Sequence, residues 1–396
     1  MSRVYLNHLG IISALGNGVD DTRSALLELA LSGVAVSDAY SPGRPLPLGR
    51  VDPSVVLPAM DNWPLADRSR NNQLGLAALR QIRPAVDAAI ERHGADRVGV
   101  VIGTSTSGIG EAEVAMREYV STGELPARFH YGQQELVSSA AVLASELGVC
   151  GPAYVHSSAC ASSAKALASA ARLLRMNACD AVIAGGVDSL CRCTIAGFAA
   201  LESISMARCN PLSRNRDGIN IGEGAALFLV SRAPATVSLR GWGESSDGYH
   251  ISAPDPAGIG ARLALEQALA RAEVTAAQIE YVNLHGTATV HNDAMEAELI
   301  HQVLGNGVYV SSTKPFTGHA LGAAGAIEAG ICWLAMQDDN ELGKLPAHLW
   351  DGAADPKLPA LKLATPATRL GHAPRWALSN SFAFGGANVT LVLGRE

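Results

Sequence analysis

Cys160 is the residue of this sequence best placed to act as a nucleophile. The residues before it, VHSSA at 155–159, suit a strand, whereas residues 161–175 are alanine-rich with leucines at helical spacing. The pattern predicts a strand, a tight turn and a buried helix that starts at the cysteine. The N–H groups and positive dipole of a helix start favour thiolate over thiol. The alternative is a buried structural cysteine, since free cysteine behaves as a small hydrophobic residue.

Two histidines and a lysine follow in turns at the ends of predicted strands. His285 lies in NLHGTAT, and both Lys314 and His319 lie in STKPFTGH, just before an alanine- and glycine-rich segment. A later turn, NSFAFGGAN at 380–388, is rich in glycine. Open α/β sheets assemble their sites where strands end. One histidine alone would indicate an ordinary core or surface residue, but this set beside Cys160 indicates a single active site.

Composition excludes several classes of protein. The 396 residues are 48% hydrophobic and 17% charged, with 40 glycines and a formal charge of −7. No basic run could neutralise phosphates, so the sequence argues against nucleic-acid binding. A chain of this length predicts two domains or two fused half-units.

Metal and membrane motifs are weak in this chain. Of the seven cysteines, only Cys191 and Cys193 are close, and without a second pair they do not predict a zinc site. The N-terminal segment predicts a first strand rather than a signal peptide. The apolar run at 320–336 contains Glu328 and several glycines, which predicts a buried helix instead of a membrane span. A cytoplasmic protein without a membrane segment is expected.

The two halves of the chain repeat the same order of features. Residues 4–13 align with 237–246, and the strand and Gly-Thr turn at 98–106 align with those at 279–289. Each half then continues through an alanine-rich helix to a Gly-Gly pair, predicted to be a turn, at 184–187 and 384–387. This repetition indicates a duplicated αβ unit, with residues 1–235 carrying the cysteine and 236–396 the histidines.

The predicted elements fit a layered α/β architecture. Apolar strands at 180–187 and 223–232 require helices on both faces of the sheet, which predicts helix, sheet, central helix, sheet and helix layers. Helices are predicted at residues 20–32, 71–92, 138–147, 161–176, 258–272, 294–304 and 321–337.

Motifs spread over the whole chain resemble those of the β-ketoacyl-acyl carrier protein synthases. The matching segments are SSACASS at 157–163, NPL at 210–212, RDG at 216–218, GEG at 222–224, HGTAT at 285–289 followed by Asn292-Asp293, the Lys314 to His319 segment with LGAAG at 321–325, and NSFAFGGAN. The resemblance implies a thiolase-like, five-layer αβαβα fold of duplicated half-units. It also implies a decarboxylative Claisen condensation of an acyl thioester with malonyl-acyl carrier protein.

The same resemblance implies roles for the site residues. Cys160 would hold the acyl chain, and His285 and His319 would stabilise the enolate formed from malonyl thioester. Lys314 and Glu328 would set the protonation and order of the histidines.

The resemblance extends to the substrate contacts. The backbone N–H groups of Cys160 and Phe384 would form an oxyanion hole. Thr287 and Thr289 would contact the pantetheine arm, and Phe384 and Phe382 would gate the acyl pocket; core packing is the alternative for the two phenylalanines.

Cofactors and partners follow from the same family. No metal or other cofactor is expected, because 4'-phosphopantetheine arrives on the acyl carrier protein. The carrier would meet a local basic patch, for which the candidates are Arg68, Arg70, Arg208 and Arg214. A homodimer or a heterodimer with a ketosynthase-like chain is expected.

Three short segments favour a subfamily. KPFTGH, CWLAM and PAHLWDG are most similar to aryl polyene ketosynthases, with ordinary fatty-acid elongation as the alternative pathway. A non-catalytic chain-length-factor-type partner is the alternative function, although such a chain would normally lack the nucleophile. A degradative thiolase is disfavoured because no cysteine follows Cys332. A histidine at 319 also disfavours an initiating Cys-His-Asn synthase.

Overall fold

A computed structural model describes residues 3–28 and 30–396. Leu29, which falls within the helix predicted at 20–32, lies outside the described residues, as do Met1 and Ser2. The strands are β1 (Tyr5–Ser13), β2 (Gly16–Asn17), β3 (Val34–Ser37), β4 (Leu46–Gly49), β5 (Val98–Gly103), β6 (Ala153–His156), β7 (Ala181–Asp188), β8 (Gly224–Ser231), β9 (Val237–Ser246), β10 (Tyr281–Asn283), β11 (Tyr309–Ser311), β12 (Lys362–Leu363), β13 (Trp376–Phe382) and β14 (Ala387–Arg395).

The α-helices lie between these strands. They are α1 (Val19–Arg23), α2 (Arg70–His93), α3 (Ile109–Thr122), α4 (Ser138–Leu147), α5 (Ser162–Arg175), α6 (Arg192–Ala200), α7 (Ile259–Ala272), α8 (Val290–Leu304), α9 (Lys314–Thr317) and α10 (Ala324–Ala335), and a π-helix (Ser24–Glu28) follows α1. None of the helices in the described part of the chain is both long and apolar enough to cross a bilayer.

The two halves have the same strand order. The first runs β6-β5-β7-β8-β1 and the second β11-β10-β13-β14-β9, with β12 added at the far edge. In each half the first strand pairs antiparallel with the last, β1 with β8 and β9 with β14. The predicted duplication is therefore present in the topology, and the fold is thiolase-like. Among the described residues, a single pair between the halves, Tyr5 with Ser238, joins their strands into one sheet, a link that the sequence did not predict.

Two helices form the central layer. Helix α5 packs on β5 and β7 of the first half and on β14 of the second, and α10 packs on β13, β7 and β8. Their many alanines and glycines allow this close packing, and the α10 residues are almost all buried. Helix α2 covers the outer face of the first half and α7 that of the second. The central layer thus belongs to both halves.

The prediction of a Gly-Gly turn in the first half is wrong. Gly185 and Gly186 lie inside β7, where a Cβ on Gly185 would be 1.9 Å from the Ala226 carbonyl oxygen. A Cβ on Gly186 would be 2.5 Å from the Cβ of Ser163 in α5. These glycines allow close approach of neighbouring elements rather than reversal of the chain.

Candidate active site

Cys160 lies in a strained turn just before α5. The helix begins at Ser162, one residue after its predicted start at residue 161, so Cys160 precedes its first turn. Ala159 has a positive φ of 46°, and the Ser162 hydroxyl fixes this turn by donating to the Ala159 carbonyl oxygen at 2.6 Å. A non-glycine residue in this conformation persists only when its surroundings hold it, as is common at functional sites. The turn presents the Cys160 side chain to a cleft between the two halves.

The Cys160 sulfur is a buried thiol. Burial raises its pKa to about 11, although the Lys314 charge and the backbone N–H groups of Phe384 and Cys160 act in the opposite direction. The expectation that the helix start would favour a resting thiolate is therefore wrong, because desolvation dominates. Reaction of this sulfur requires a group that takes its proton.

His319 is the group in contact with that thiol. Its Nε2 lies 2.9 Å from the Cys160 Sγ. The backbone holds it on both sides, since the His319 N–H donates to the Asn220 carbonyl at 2.6 Å and the Gly222 N–H donates to the His319 carbonyl at 2.9 Å. Burial, followed by the Lys314 charge, keeps the pKa of His319 well below its ordinary value. A neutral imidazole beside a thiol can accept its proton.

His285 lies across the cleft from His319. The two rings are 5.5 Å apart in an edge-on arrangement. Glu296 of α8 positions the turn by accepting from the His285 N–H at 2.9 Å and the Gly286 N–H at 2.7 Å. Burial lowers the pKa of His285 well below its ordinary value, and the Lys314 charge adds to the effect. Both histidines are thus neutral in the resting site.

Lys314 and Glu328 form a buried ion pair behind His285. The Lys314 Nζ lies 2.5 Å from Glu328 Oε1, 2.5 Å from the His285 carbonyl oxygen and 3.4 Å from its Nδ1. An ammonium group only donates hydrogen bonds. Nδ1 of His285 is therefore the acceptor, and the ring proton lies on Nε2.

Three residues of this site could in principle hold a metal ion. The ligand atoms of Cys160, His285 and His319 all lie within 4.8 Å of one another. The Lys314 ammonium beside His285 adds a positive charge that opposes a divalent cation. The arrangement suits a nucleophile and hydrogen-bond donors better than a metal centre.

The remaining predicted residues also line the cleft, which measures about 610 Å³ including its open mouth. Thr287 and Thr289 share a hydrogen bond of 2.9 Å between their hydroxyl groups. Phe382 is buried, with its ring 6.3 Å from that of His285. Phe384 is half-buried and packs against Phe198 of α6, their rings 5.4 Å apart. The structure therefore brings every predicted site residue to one place, with Glu328 behind the lysine.

Several residues that hold the site were not predicted from the sequence. Asp188, at the end of β7, accepts from the Thr104 and Thr106 hydroxyls at 2.7 Å and from the Gly322 N–H at 2.5 Å. Glu296 holds the His285 turn, and its position three residues after Asp293 on one helix face could have indicated it. His348 lies in a proline-rich loop with no pattern that marks it. All three bind backbone or turn groups, which sequence motifs for chemistry do not reveal.

The four candidate arginines for carrier binding differ in their contacts and exposure. Arg70 forms a two-bond ion pair with the fully buried Glu223, at 2.8 and 2.6 Å, which already occupies part of its guanidinium. Arg68 donates to the carbonyl oxygens of Trp63 and Asp61. Arg208 and Arg214 are exposed and stay candidates.

The family models and the sequence relatives of this chain agree with one another. The family models of the β-ketoacyl synthase N-terminal and C-terminal domains match residues 73–235 and 236–345. The 3-oxoacyl-[acyl-carrier-protein] synthase 2 of Coxiella burnetii is 31% identical over 99% of this chain and 98% of that protein. The enzyme of the same name from Staphylococcus aureus is 29% identical over 98% and 97%.

Two solved structures extend the comparison. The ketosynthase ApeO, in complex with its chain length factor ApeC from Xenorhabdus doucetiae, is 43% identical with a TM-score of 0.93, covering 100% of this chain and 98% of that one. The ishigamide ketosynthase/chain length factor is 25% identical with a TM-score of 0.88, over 100% and 99%.

Proposed function

The chain belongs to the β-ketoacyl synthase family, and from this we propose that Cys160, His285 and His319 carry the family's reaction in it. That reaction is a decarboxylative Claisen condensation, in which an acyl thioester and malonyl-acyl carrier protein give a 3-oxoacyl-acyl carrier protein and carbon dioxide. The observation that carries the assignment of residues is the 2.9 Å contact between the Cys160 sulfur and a neutral His319. A non-catalytic partner would not need this contact.

The first step is transfer of the acyl group to Cys160. The thiol proton passes to Nε2 of His319 as the sulfur attacks the thioester carbonyl, and the carrier thiolate that leaves takes a proton from solvent. The N–H groups of Cys160 and Phe384, which already act on the sulfur, stabilise the oxyanion. Because the thiol is neutral at rest, its reactivity depends on His319.

The second step is decarboxylation of the malonyl thioester. Loss of carbon dioxide leaves an enolate, whose oxygen needs hydrogen-bond donors in a site with little water. His285 supplies its Nε2–H because Lys314 occupies the other ring nitrogen, and His319 supplies the Nε2–H that it took from the Cys160 thiol in the first step. The enolate carbon then attacks the acyl carbonyl, and the Cys160 sulfur leaves and takes its proton back from His319. Lys314 and Glu328 are positioning residues in this scheme.

The pantetheine arm and acyl chain occupy the cleft. Thr287 and Thr289 offer hydroxyl groups to the amides of the arm, and Phe384, packed on Phe198, gates the acyl pocket beside Phe382. No metal or organic cofactor enters the scheme, since the histidine donors stabilise the charge that a metal ion would otherwise stabilise. The pantetheine arrives on the acyl carrier protein, and the reaction takes place in the cytoplasm.

Similarity favours aryl polyene synthesis over fatty-acid elongation. The identity to the ketosynthase ApeO is 43%, against 31% to a 3-oxoacyl-[acyl-carrier-protein] synthase 2. The segments KPFTGH, CWLAM and PAHLWDG resemble aryl polyene ketosynthases. Since ApeO was solved with a chain length factor, a related chain is the favoured partner, in addition to the carrier protein.

Intact-mass spectrometry tests this proposal. The protein, alone and with a ketosynthase-like partner, is incubated with short-chain, long-chain and aryl-polyenoyl carrier proteins, and adducts are mapped by digestion. We expect the aryl-polyenoyl group on Cys160, and 3-oxo product after malonyl-carrier protein is added. Cys160→Ala should abolish both, whereas Cys193→Ala, at an exposed cysteine, should change neither. Loading from the long-chain carrier alone would favour fatty-acid elongation, and no adduct from any donor would contradict the catalytic assignment.

A further inference from the structure

Asp188 is fully buried at the end of β7, where it holds the loop at residues 104–107, here called the β5 loop. Its Oδ1 accepts from the hydroxyl groups of Thr104 and Thr106, each at 2.7 Å, and from the Thr106 N–H at 2.8 Å. The Ser105 N–H donates to Oδ1 at 2.8 Å and to Oδ2 at 3.1 Å. Because these groups all donate, they suit a carboxylate, whose two oxygens only accept.

The same carboxylate also holds the second half of the chain. The Gly322 N–H donates to Asp188 Oδ2 at 2.5 Å. Gly322 follows His319 closely, after a turn in which Leu321 has a positive φ of 48°. A Cβ on Gly322 would lie 2.8 Å from both Asp188 Oδ2 and Ser105 Oγ. The β5 loop and the segment after His319 therefore meet at Asp188, and a glycine allows their close approach.

The β5 loop also contacts the turn that carries the nucleophile. The Ser105 hydroxyl donates to the Ala159 carbonyl oxygen at 3.4 Å. Ala159 precedes Cys160 and has the strained φ of 46°. Gly103, just before the loop, lies so close to the start of α5 that a Cβ would be 2.2 Å from the Ser163 nitrogen. Since packed elements transmit displacements, a shift of the β5 loop would move the Cys160 turn.

The contact that depends on this arrangement is the one between Cys160 and His319. The distance of 2.9 Å between Sγ and Nε2 allows direct proton transfer. Misplacement of reacting groups by about 1 Å can lower a rate by about a hundredfold. Cys160 belongs to the first half and His319 to the second, so contacts between the halves set this distance. Asp188 makes a contact on each side.

We propose that Asp188 is a positioning residue, whose carboxylate keeps the Cys160 sulfur within reach of His319. It acts on the first half through Ser105 and on the second half through Gly322. The inference rests on the proposed reaction, in which His319 takes the thiol proton, and it adds a requirement for that step. Without this link, the thiol reacts mainly through the small fraction that ionises unaided, since burial raises the pKa of Cys160 to about 11.

Asp188→Asn changes one side of this arrangement and spares the other. The amide oxygen can replace Oδ1 and keep its four hydrogen-bond donors. The amide NH2 then replaces Oδ2 and faces the Gly322 N–H, so two donors meet and the link to the second half is lost. Asp180→Asn is the matched control, because it makes the same exchange at the other end of β7, where Asp180 pairs with Arg97 and Arg232.

Alkylation of Cys160 by iodoacetamide, quantified by peptide mass mapping from about pH 7 to about pH 9.5, tests the inference. In the wild type, proton transfer to His319 supports the reaction at neutral pH, so the rate should change little with pH. Asp188→Asn should react at least about tenfold more slowly near pH 7. Its rate should rise by about tenfold per pH unit, because only the free thiolate then reacts. The two rates should therefore converge at high pH, and Asp180→Asn should follow the wild type throughout.

A purely structural role for Asp188 would give a different result. Partial unfolding of Asp188→Asn would expose Cys160 and raise its alkylation rate. Reduced access to the cleft would lower the rate by the same factor at every pH. Either result, or a pH profile identical to that of the wild type, would overturn the inference.

Ser105→Ala keeps the test decisive if Asp188→Asn does not fold, as checked by circular dichroism. This variant removes the hydroxyl that contacts the Ala159 carbonyl, and it should show the same steeper pH dependence to a smaller extent. A wild-type profile for Ser105→Ala would in that case contradict the positioning role. Alkylation needs no acyl carrier protein, so failure of this inference is distinguishable from failure of the proposed condensation, which the loading assay measures.

Discussion

At the scale of single residues, the buried Lys314 and Glu328 side chains show more about how the site is organised than the nucleophile does. Both are nearly inaccessible, at 2% and 3% side-chain exposure. Burial raises the pKa of Glu328, and the Lys314 charge opposes that shift. A buried ion pair is weak evidence for stability, because desolvation of both charges offsets their attraction. Its value here is that the ammonium also fixes the tautomer of His285.

Removal of Lys314 separates its effect on stability from its effect on the His285 tautomer. Lys314→Ala leaves Glu328 buried without its partner and should lower the free energy of unfolding by about 3–5 kcal/mol. Lys314→Met combined with Glu328→Leu removes both charges and should recover most of that loss. Both variants should lose condensation activity, since the His285 tautomer is no longer fixed. Urea unfolding and a condensation assay measure the two effects, and an active double variant would contradict the role assigned to Lys314.

At the scale of elements, much of the fold was predictable from periodicity. The helix at 138–147 has the predicted bounds, and α2, α5 and α7 lie within two residues of theirs. Strong leucine and alanine periodicity explains this success. Helices α3 and α6 were missed. Helix α8 begins at Val290, four residues before its predicted start, because its first turn carries polar residues that resemble a loop.

The site was less predictable than the elements. Cys160, His285 and His319 stand out because glycine and small residues flank them. Their approach depends on backbone contacts between distant elements, such as the bridge between Ile221 and His319. Residues that bind backbone groups, such as His348, carry no comparable signature. Desolvation of the thiol is also a property of the packed state, so the raised pKa of Cys160 could not be inferred from its place near a helix start.

His348 joins two segments that border the site, and its titration makes the stability of the fold depend on pH. Its Nδ1 accepts from the Ser312 N–H at 3.1 Å, and its Nε2 lies 2.9 Å from the Pro211 carbonyl oxygen. Burial lowers the pKa of His348 from 6.5 to about 4. The unfolded chain therefore binds a proton at this residue between these values while the folded chain does not. Stability falls as pH drops through this window, by up to about 3 kcal/mol from this residue.

His348→Gln should remove that contribution. The variant should be less stable than the wild type at pH 8, because the amide replaces the two ring contacts imperfectly, yet its stability should fall less steeply toward pH 4. His8→Gln, at an exposed histidine, should keep the wild-type slope. Urea unfolding over this pH range measures the slopes. Equal slopes for His348→Gln and the wild type would show that His348 is not the titrating group.

At the scale of the whole molecule, the two halves share their core although they repeat one another in sequence. Helix α10 of the second half packs on β7 and β8 of the first, and the Trp333 Nε1–H donates to the Leu6 carbonyl at 2.9 Å. The Ala326 N–H donates to the Ser163 hydroxyl at 2.8 Å, which links α10 to α5. The boundary between residues 235 and 236 therefore separates two repeated units that do not fold independently.

Shared packing predicts that the halves unfold together. Ile327 of α10 is 1% exposed and lies in the core cluster that spans both halves. Ile327→Ala should lower the free energy of unfolding by about 2–5 kcal/mol through lost contacts and a residual cavity. Native-state hydrogen exchange should show the same decrease for amides of β13 in the second half and of β5 in the first, since cooperative opening exposes both. A decrease confined to β13 would show that each half opens separately, and the catalytic contact between Cys160 and His319 would then join two independently opening units.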